Sequence, residues 1–164
     1  MSIHPTAVIG PEVELHPSVH VGAFTVIDGK VKIDADCRIE NHATIGSKDG
    51  VVTIGKNNRI LAGAAVGGPP QDLKYKGEPT ELIIGDNNMI REFATLNIGT
   101  MTGTGKTVVG SNCLLMAYVH VAHDCIIKDN CVIVNNVALG GHVTVGEFAI
   151  IGGLSAIHQF VNIG

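Results

Sequence analysis

The chain has 164 residues, with 11 Lys and Arg against 15 Asp and Glu and a net charge of −4 at pH 7. That length suits one domain, and a mixed, weakly acidic charge argues against a general nucleic-acid surface. Although 45% of the residues are hydrophobic, no apolar run is long enough for a transmembrane helix. The opening residues Met1 to Pro5 hold no basic segment leading into an apolar one, so no signal peptide is read. A cytoplasmic protein with no stable membrane insertion is the expectation.

From the N-terminus, aliphatic residues stand six apart: Leu15, Val21, Ile27, Ile33, Ile39 and Ile45. After a slip of three the period resumes at Ile54, Ile60 and Val66, and after longer gaps at Ile84, Ile90 and Leu96. From Val109 it runs unbroken through Leu115, Val121, Ile127, Ile133, Leu139, Val145, Ile151, Ile157 and Ile163. A period of six fits neither an amphipathic helix nor a simple alternating strand. It is the signature of a hexapeptide β-helix, in which three short strands make one triangular coil of about 18 residues. The slips mark loops leaving the coil: Gly46–Val52, Gly67–Leu82 and Asn97–Lys106. The reading is one β-helix domain over 1–164, with an inserted loop at 67–82 and a shorter one near 97–106. Long loops on a regular scaffold usually carry binding elements.

A second register lies two residues before each aliphatic position. It holds Val19, Thr25, Val31, Cys37 and Ala43 early, and Thr107, Cys113, Val119, Cys125, Cys131, Val137, Val143, Ala149, Ser155 and Val161 later. Alternate strand residues share a face, so both registers should point inward. A narrow interior has room for such side chains and none for Trp, which is absent. All four cysteines fall in this small register, which reads as buried structural thiols rather than zinc ligands or disulfides. Ile163-Gly164 opens a new hexapeptide, and β-helix ends need caps. The expectation is a fragment, or an end covered by another element or chain.

Of the eight histidines, His4, His16, His20 and His42 are scattered and read as surface or packing residues. The others are grouped. Stacking by 18 puts Gly141 and Gln159 over His123, His142 over Asp124, and His158 in the column of Ala122 and Gly140. Adjacent coils lie about 4.8 Å apart, so these residues should gather at one corner. A histidine can take a proton from a hydroxyl, and an adjacent carboxylate can fix its tautomer. Gly141 could offer a backbone N–H to a developing oxyanion. No Ser or Cys nucleophile is evident beside His123, so direct acyl transfer to a substrate hydroxyl is more economical than an acyl-enzyme.

Two motifs are weaker. Thr100–Thr107 ends like a phosphate-binding loop, but it lacks the first Gly and no helix pattern follows. His120 and His123 have a zinc-like spacing, but two ligands leave a site incomplete. In the 67–82 loop, Lys74 suits phosphate or an acidic protein, and Asp72 suits sugar hydroxyls.

Several segments together resemble the UDP-N-acetylglucosamine O-acyltransferase family, which begins lipid A synthesis. They are Gln71-Asp72-Leu73-Lys74-Tyr75 with Gly77-Glu78-Pro79-Thr80, Ile90-Arg91-Glu92, Leu114-Leu115-Met116, His120-Val121-Ala122-His123-Asp124-Cys125, Gly141-His142-Val143, and Ile150-Ile151-Gly152-Gly153 through Ala156-Ile157-His158-Gln159-Phe160. The resemblance implies a left-handed parallel β-helix, an exception to the right-handed crossover rule. It also implies a homotrimer with sites between subunits. The reaction implied is transfer of an (R)-3-hydroxyacyl group from acyl carrier protein to the glucosamine 3-position of UDP-N-acetylglucosamine. No metal or cofactor is called for.

By motif, His123 would be the general base, Asp124 its orienting partner and Gly141 the oxyanion donor. Asp72, Lys74, His120, His142, His158 and Gln159 would line the substrate site. Family members continue into a C-terminal helical domain that these 164 residues do not include. Two rival readings are a trimeric β-helix carbonic anhydrase with histidine-held zinc and a non-catalytic β-helix scaffold.

Overall fold

The computed structural model describes residues 2–164. Its regular structure is 24 short strands, with no helix among the described residues. The strands form three parallel sheets of eight, each taking every third strand along the chain. This is a parallel β-helix. No helix is long and apolar enough to cross a membrane.

Both registers point inward. From Val21 to Ile151 every residue of the aliphatic register is buried, and so are its small partners from Val19 to Val143. Each hexapeptide thus places one large and one small side chain in the interior. Burying each aliphatic side chain stabilises the fold by about 1.5–3 kcal/mol. The four cysteines are free and buried. Each thiol donates to a backbone carbonyl of the next coil, as Cys37 Sγ does to Gly55 O at 3.0 Å and Cys131 Sγ to Gly146 O at 3.0 Å.

Coils join by backbone hydrogen bonds from each strand to the next layer, such as His120 N–H to Val137 O at 2.9 Å. Corners turn through a residue of positive φ, among them Asn112, Tyr118, Asp124, Asn130, Asn136 and His142. Asn and Asp tolerate this left-handed conformation, while aromatic residues resist it. At several aromatic corners the ring stacks on the corner residue of a neighbouring coil: Phe24 on His42, Phe93 on Tyr118 and His142 on Phe160.

In the regular part the register steps by 18, as in Leu114 beside Val132. Three insertions lengthen the step, placing Thr44 beside Ala65, Ala65 beside Thr95, and Thr95 beside His120. The irregular segments are shorter than the slips suggest. Gly67 and Gly68 continue the strand Ala65–Gly68, Glu81 and Leu82 begin the strand Glu81–Ile84, and Lys106 begins Lys106–Val109. The segments off the coil are therefore 69–80 and 98–105. The strands reach further because Leu82 and Thr107 continue the buried small register. All three insertions leave after a strand of the second sheet and return into the third. They crowd onto one corner, the one that carries His123 and Asp124 further along the coil.

Candidate active site at the histidine corner

His120 ends up on the second sheet in the strand His120–Val121, and Ile126–Ile127 opens the next strand on the third. The chain turns between them at Ala122–Cys125, with Asp124 at φ 60°. This turn sends two consecutive side chains outward together. His123 Nδ1 lies 2.8 Å from Asp124 Oδ2. A carboxylate only accepts, so Nδ1 carries the proton and Nε2 is the free nitrogen.

Asp124 is 2% exposed. The segment 98–105 wraps it. Thr100 Oγ1 donates to Oδ2 at 2.6 Å, and Thr100 N–H reaches Oδ1 at 3.1 Å and Oδ2 at 3.2 Å. Thr104 N–H donates to Oδ1 at 3.0 Å. The Asp124 N–H donates to Thr107 Oγ1 at 2.9 Å. Burial pushes this carboxyl up, but the bonds from Thr100 and His123 outweigh it, so the pKa lies below the ordinary aspartate value. Asp124 is thus an ion held on both oxygens.

One coil on, Gly141 is buried against the His123 ring. A Cβ built there would meet His123 Cε1 at 2.5 Å and Nε2 at 2.7 Å, so only glycine fits. His142, at φ 63°, stands edge-on to His123 with ring centroids 5.0 Å apart and stacks on Phe160 at 4.5 Å. His120 Nδ1 lies 2.7 Å from Thr95 Oγ1. Burial, and then the nearby His123, hold the His120 pKa below its ordinary value.

Two grooves flank His123 and share Gln71, His123 and Gln159. One, of about 560 Å³, is lined also by His120, Gly141 and His158; the other, of about 790 Å³, by Asp72, Lys74 and His142. Asp72 shapes its own loop, its Oδ1 accepting from Lys74 N–H at 2.9 Å. All the expected site residues therefore meet around His123. The early histidines do not: His4 and His16 bond Thr6 and Ser18 beside them, and His42 stacks on Phe24. Lys74 lines one groove with the His123 of its own chain, as expected of a residue at the mouth of that site.

Sequence reasoning missed Gln71, Thr95, Thr100 and Thr104. The threonine-rich segment set aside as an incomplete phosphate loop is the wrapping of Asp124. Its signal was four threonines from Thr100 to Thr107, but the insertion hides which coil they face. The zinc-like pair is also not as spaced. The side chains close enough to share an ion are His123, Asp124 and His142, within 4.8 Å, and not His120. An ion on Asp124 Oδ2 would have to displace the bonds from His123 and Thr100.

Residues 106–141 match the family model for six repeats of the bacterial transferase hexapeptide. The chain is 54% identical over 162 residues to the acyl-carrier-protein-dependent UDP-N-acetylglucosamine O-acyltransferase of Xanthomonas euvesicatoria, covering 99% of this chain and 60% of that protein. It is 52% identical over 163 residues to the enzyme of the same name from Aliarcobacter butzleri, covering 99% and 62%. The solved UDP-N-acetylglucosamine acyltransferase of Francisella novicida superposes with a TM-score of 0.95 at 41% identity, covering 99% of this chain and 58% of that one. A coil of opposite hand would not superpose so. The chain spans about three fifths of the length of these curated relatives. Over the β-helix that it spans, the chain is similar throughout to UDP-N-acetylglucosamine O-acyltransferases.

Proposed function

We propose that this chain carries the acyl-transfer centre of an enzyme that moves an (R)-3-hydroxyacyl group from acyl carrier protein to the glucosamine 3-hydroxyl of UDP-N-acetylglucosamine, the step that opens lipid A synthesis. The observation that carries this reading is a histidine held by a buried carboxylate, with Gly141 against its ring and the Lys74 loop across the groove.

His123 Nε2 takes the proton of the sugar hydroxyl as its oxygen attacks the thioester carbonyl. Asp124 stabilises the imidazolium that forms. The Gly141 N–H has no protein acceptor among the described residues, and it faces the developing oxyanion. The C–O bond forms, the C–S bond breaks, and the imidazolium returns its proton to the departing thiolate. The transfer is direct. Cys125, two residues on, points inward and donates to Gly140 O at 3.1 Å, and burial pushes its thiol up to about 11. It is neither ionised nor within reach of a substrate. Lys74 meets the diphosphate or the phosphopantetheine as a mobile charge.

The working assembly is a homotrimer with sites between subunits. Support comes from the outward columns. On the first sheet His20, Arg38 and Arg59 give way to Met89, Leu114 and Val132; on the third, Glu14 and Lys32 give way to Ile83, Val108 and Ile126. Two adjoining apolar faces on the later coils suit packing about a three-fold axis. The protein acts in the cytoplasm, where its acyl donor is made.

The test is an assay of the purified protein with (R)-3-hydroxyacyl-acyl carrier protein and UDP-N-acetylglucosamine, read by mass spectrometry. The expected products are the 3-O-acylated nucleotide sugar and free carrier-protein thiol in equal amounts. Thioester hydrolysis without acylated sugar would contradict the reading. Sedimentation equilibrium should give three times the chain mass of 17.1 kDa, and a monomer at micromolar concentration would contradict the trimer.

A further inference from the structure

We propose that Thr100 is a positioning residue, whose hydroxyl and N–H lock the plane of the Asp124 carboxylate so that Oδ2 holds His123 as its Nδ1–H tautomer with Nε2 turned to the groove. This rests on the proposed role of His123 as the base.

A carboxylate on a short side chain can rotate, and either oxygen can then face its partner. At this corner it cannot. Oδ2 accepts from the Thr100 hydroxyl at 2.6 Å and His123 Nδ1 at 2.8 Å, and it shares the Thr100 N–H with Oδ1 from 3.2 Å. Oδ1 is pinned on the far side by the N–H groups of Thr100 and Thr104, at 3.1 and 3.0 Å. Thr102 Oγ1 lies 3.2 Å from Thr100 Oγ1. Since the Thr100 hydroxyl gives its own proton to Asp124, Thr102 donates to it and fixes its direction. The Thr104 hydroxyl is spent differently: it lies 2.9 Å from Lys106 O and 3.3 Å from Asp124 Oδ1, so its one proton goes to the carbonyl. Thr104 therefore serves the carboxylate through its backbone and Thr100 through both groups.

Gly103 completes the enclosure. A Cβ there would lie 2.5 Å from Asp124 Oδ2 and 2.6 Å from Oδ1, so the segment lies flat on the carboxylate only because this residue is glycine. Three donors of the segment 98–105 meet one buried ion, and that ion meets one outward histidine.

The experiment reads the His123 tautomer by 15N NMR of histidine-labelled protein, alongside kcat and KM for the transfer reaction. Wild type should show a single Nδ1–H form. Thr100→Val, which keeps the shape and removes the hydroxyl, should mix the tautomers. It should lower kcat by roughly ten- to a hundredfold, the effect of one charge-assisted hydrogen bond, with both KM values unchanged. Thr100→Ser should restore both readings. Gly103→Ala, which removes no donor but lifts the segment off the carboxylate, should reproduce the Thr100→Val result and serves if that variant folds poorly. Thr104→Val should cost less than Thr100→Val, whereas a role confined to loop folding would make the two alike. A wild-type tautomer in both Thr100→Val and Gly103→Ala overturns the inference whatever the rates. Mixed tautomers with an unchanged rate would uphold the positioning role and remove His123 from the chemistry, so the two readings fail separately.

Discussion

Two corners of the coil hold buried polar side chains and use them in opposite ways. At the corner between the third and first sheets, Asn58 and Asn88 are buried and serve only the backbone. Asn58 Oδ1 accepts from Asn88 N–H at 2.9 Å, Asn88 Oδ1 from Cys113 N–H at 2.8 Å, and the Asn88 amide donates to Gly110 O at 2.8 Å. Nothing is left over for a ligand. At the corner between the second and third sheets, Asp124 is equally buried, but one of its partners is a side chain that faces a groove. The turn geometry is alike at both, with a residue of positive φ at Asn87, Asn112 and Asn130 and at Asp124 and His142. What differs is the direction of the hydrogen bonds and the three insertions that leave at the second corner.

The comparison can be broken first at the structural corner. Asn88→Leu should strand the Cys113 N–H and the Gly110 carbonyl, costing roughly 2–6 kcal/mol at about 1–3 kcal/mol for each buried group. Urea denaturation should show the lower midpoint, and turnover per folded molecule should stay at the wild-type value. A loss of turnover without a loss of stability would erase the distinction between the corners.

A smaller effect sharpens the other side. Lys74→Ala, on an exposed loop residue at the groove beside His123, should raise KM by about tenfold with kcat nearly kept, the pattern of lost uniform binding. Its KM should also depend less on salt. An unchanged KM for both substrates would return the loop to a solvated connection.

The smallest effect concerns pH. His120 is partly buried, bonded to Thr95, and titrates below its ordinary value when folded. Its contribution to stability is therefore full above the unfolded pKa, about 6.5, and is lost as pH falls through the lower folded value. Between about pH 7 and pH 5, wild type should lose more stability than His120→Asn. Parallel stability curves would show that the burial of His120 carries no such linkage.

Much of this was legible in the residues. The inward registers announce themselves because an interior of fixed width admits one large and one small side chain every six positions. The gathering of His123, Gly141 and Gln159 follows from the same arithmetic, since no insertion separates those coils. The arithmetic stops at the insertions. Across 98–105 the partner of His120 is Thr95 rather than the residue 18 positions before it, so the threonines that hold Asp124 could not be placed. Across 69–80 the step is 30 rather than 18, since Ala65 pairs with Thr95, so the arithmetic could not place Lys74 against a coil. Gln71 was visible within the family-like loop, but only the folded loop puts it between the two grooves.

The most direct test of the account is the transfer rate of His123→Ala, measured beside a thermal melt of the same preparation. The account predicts a loss of about 10²- to 10⁴-fold in kcat, the span general-base catalysis covers. The melt should be close to wild type, because the ring points outward at a corner and leaves the inward registers intact. A rate near wild type from a folded His123→Ala protein would contradict the account and move the base to His120 or His142.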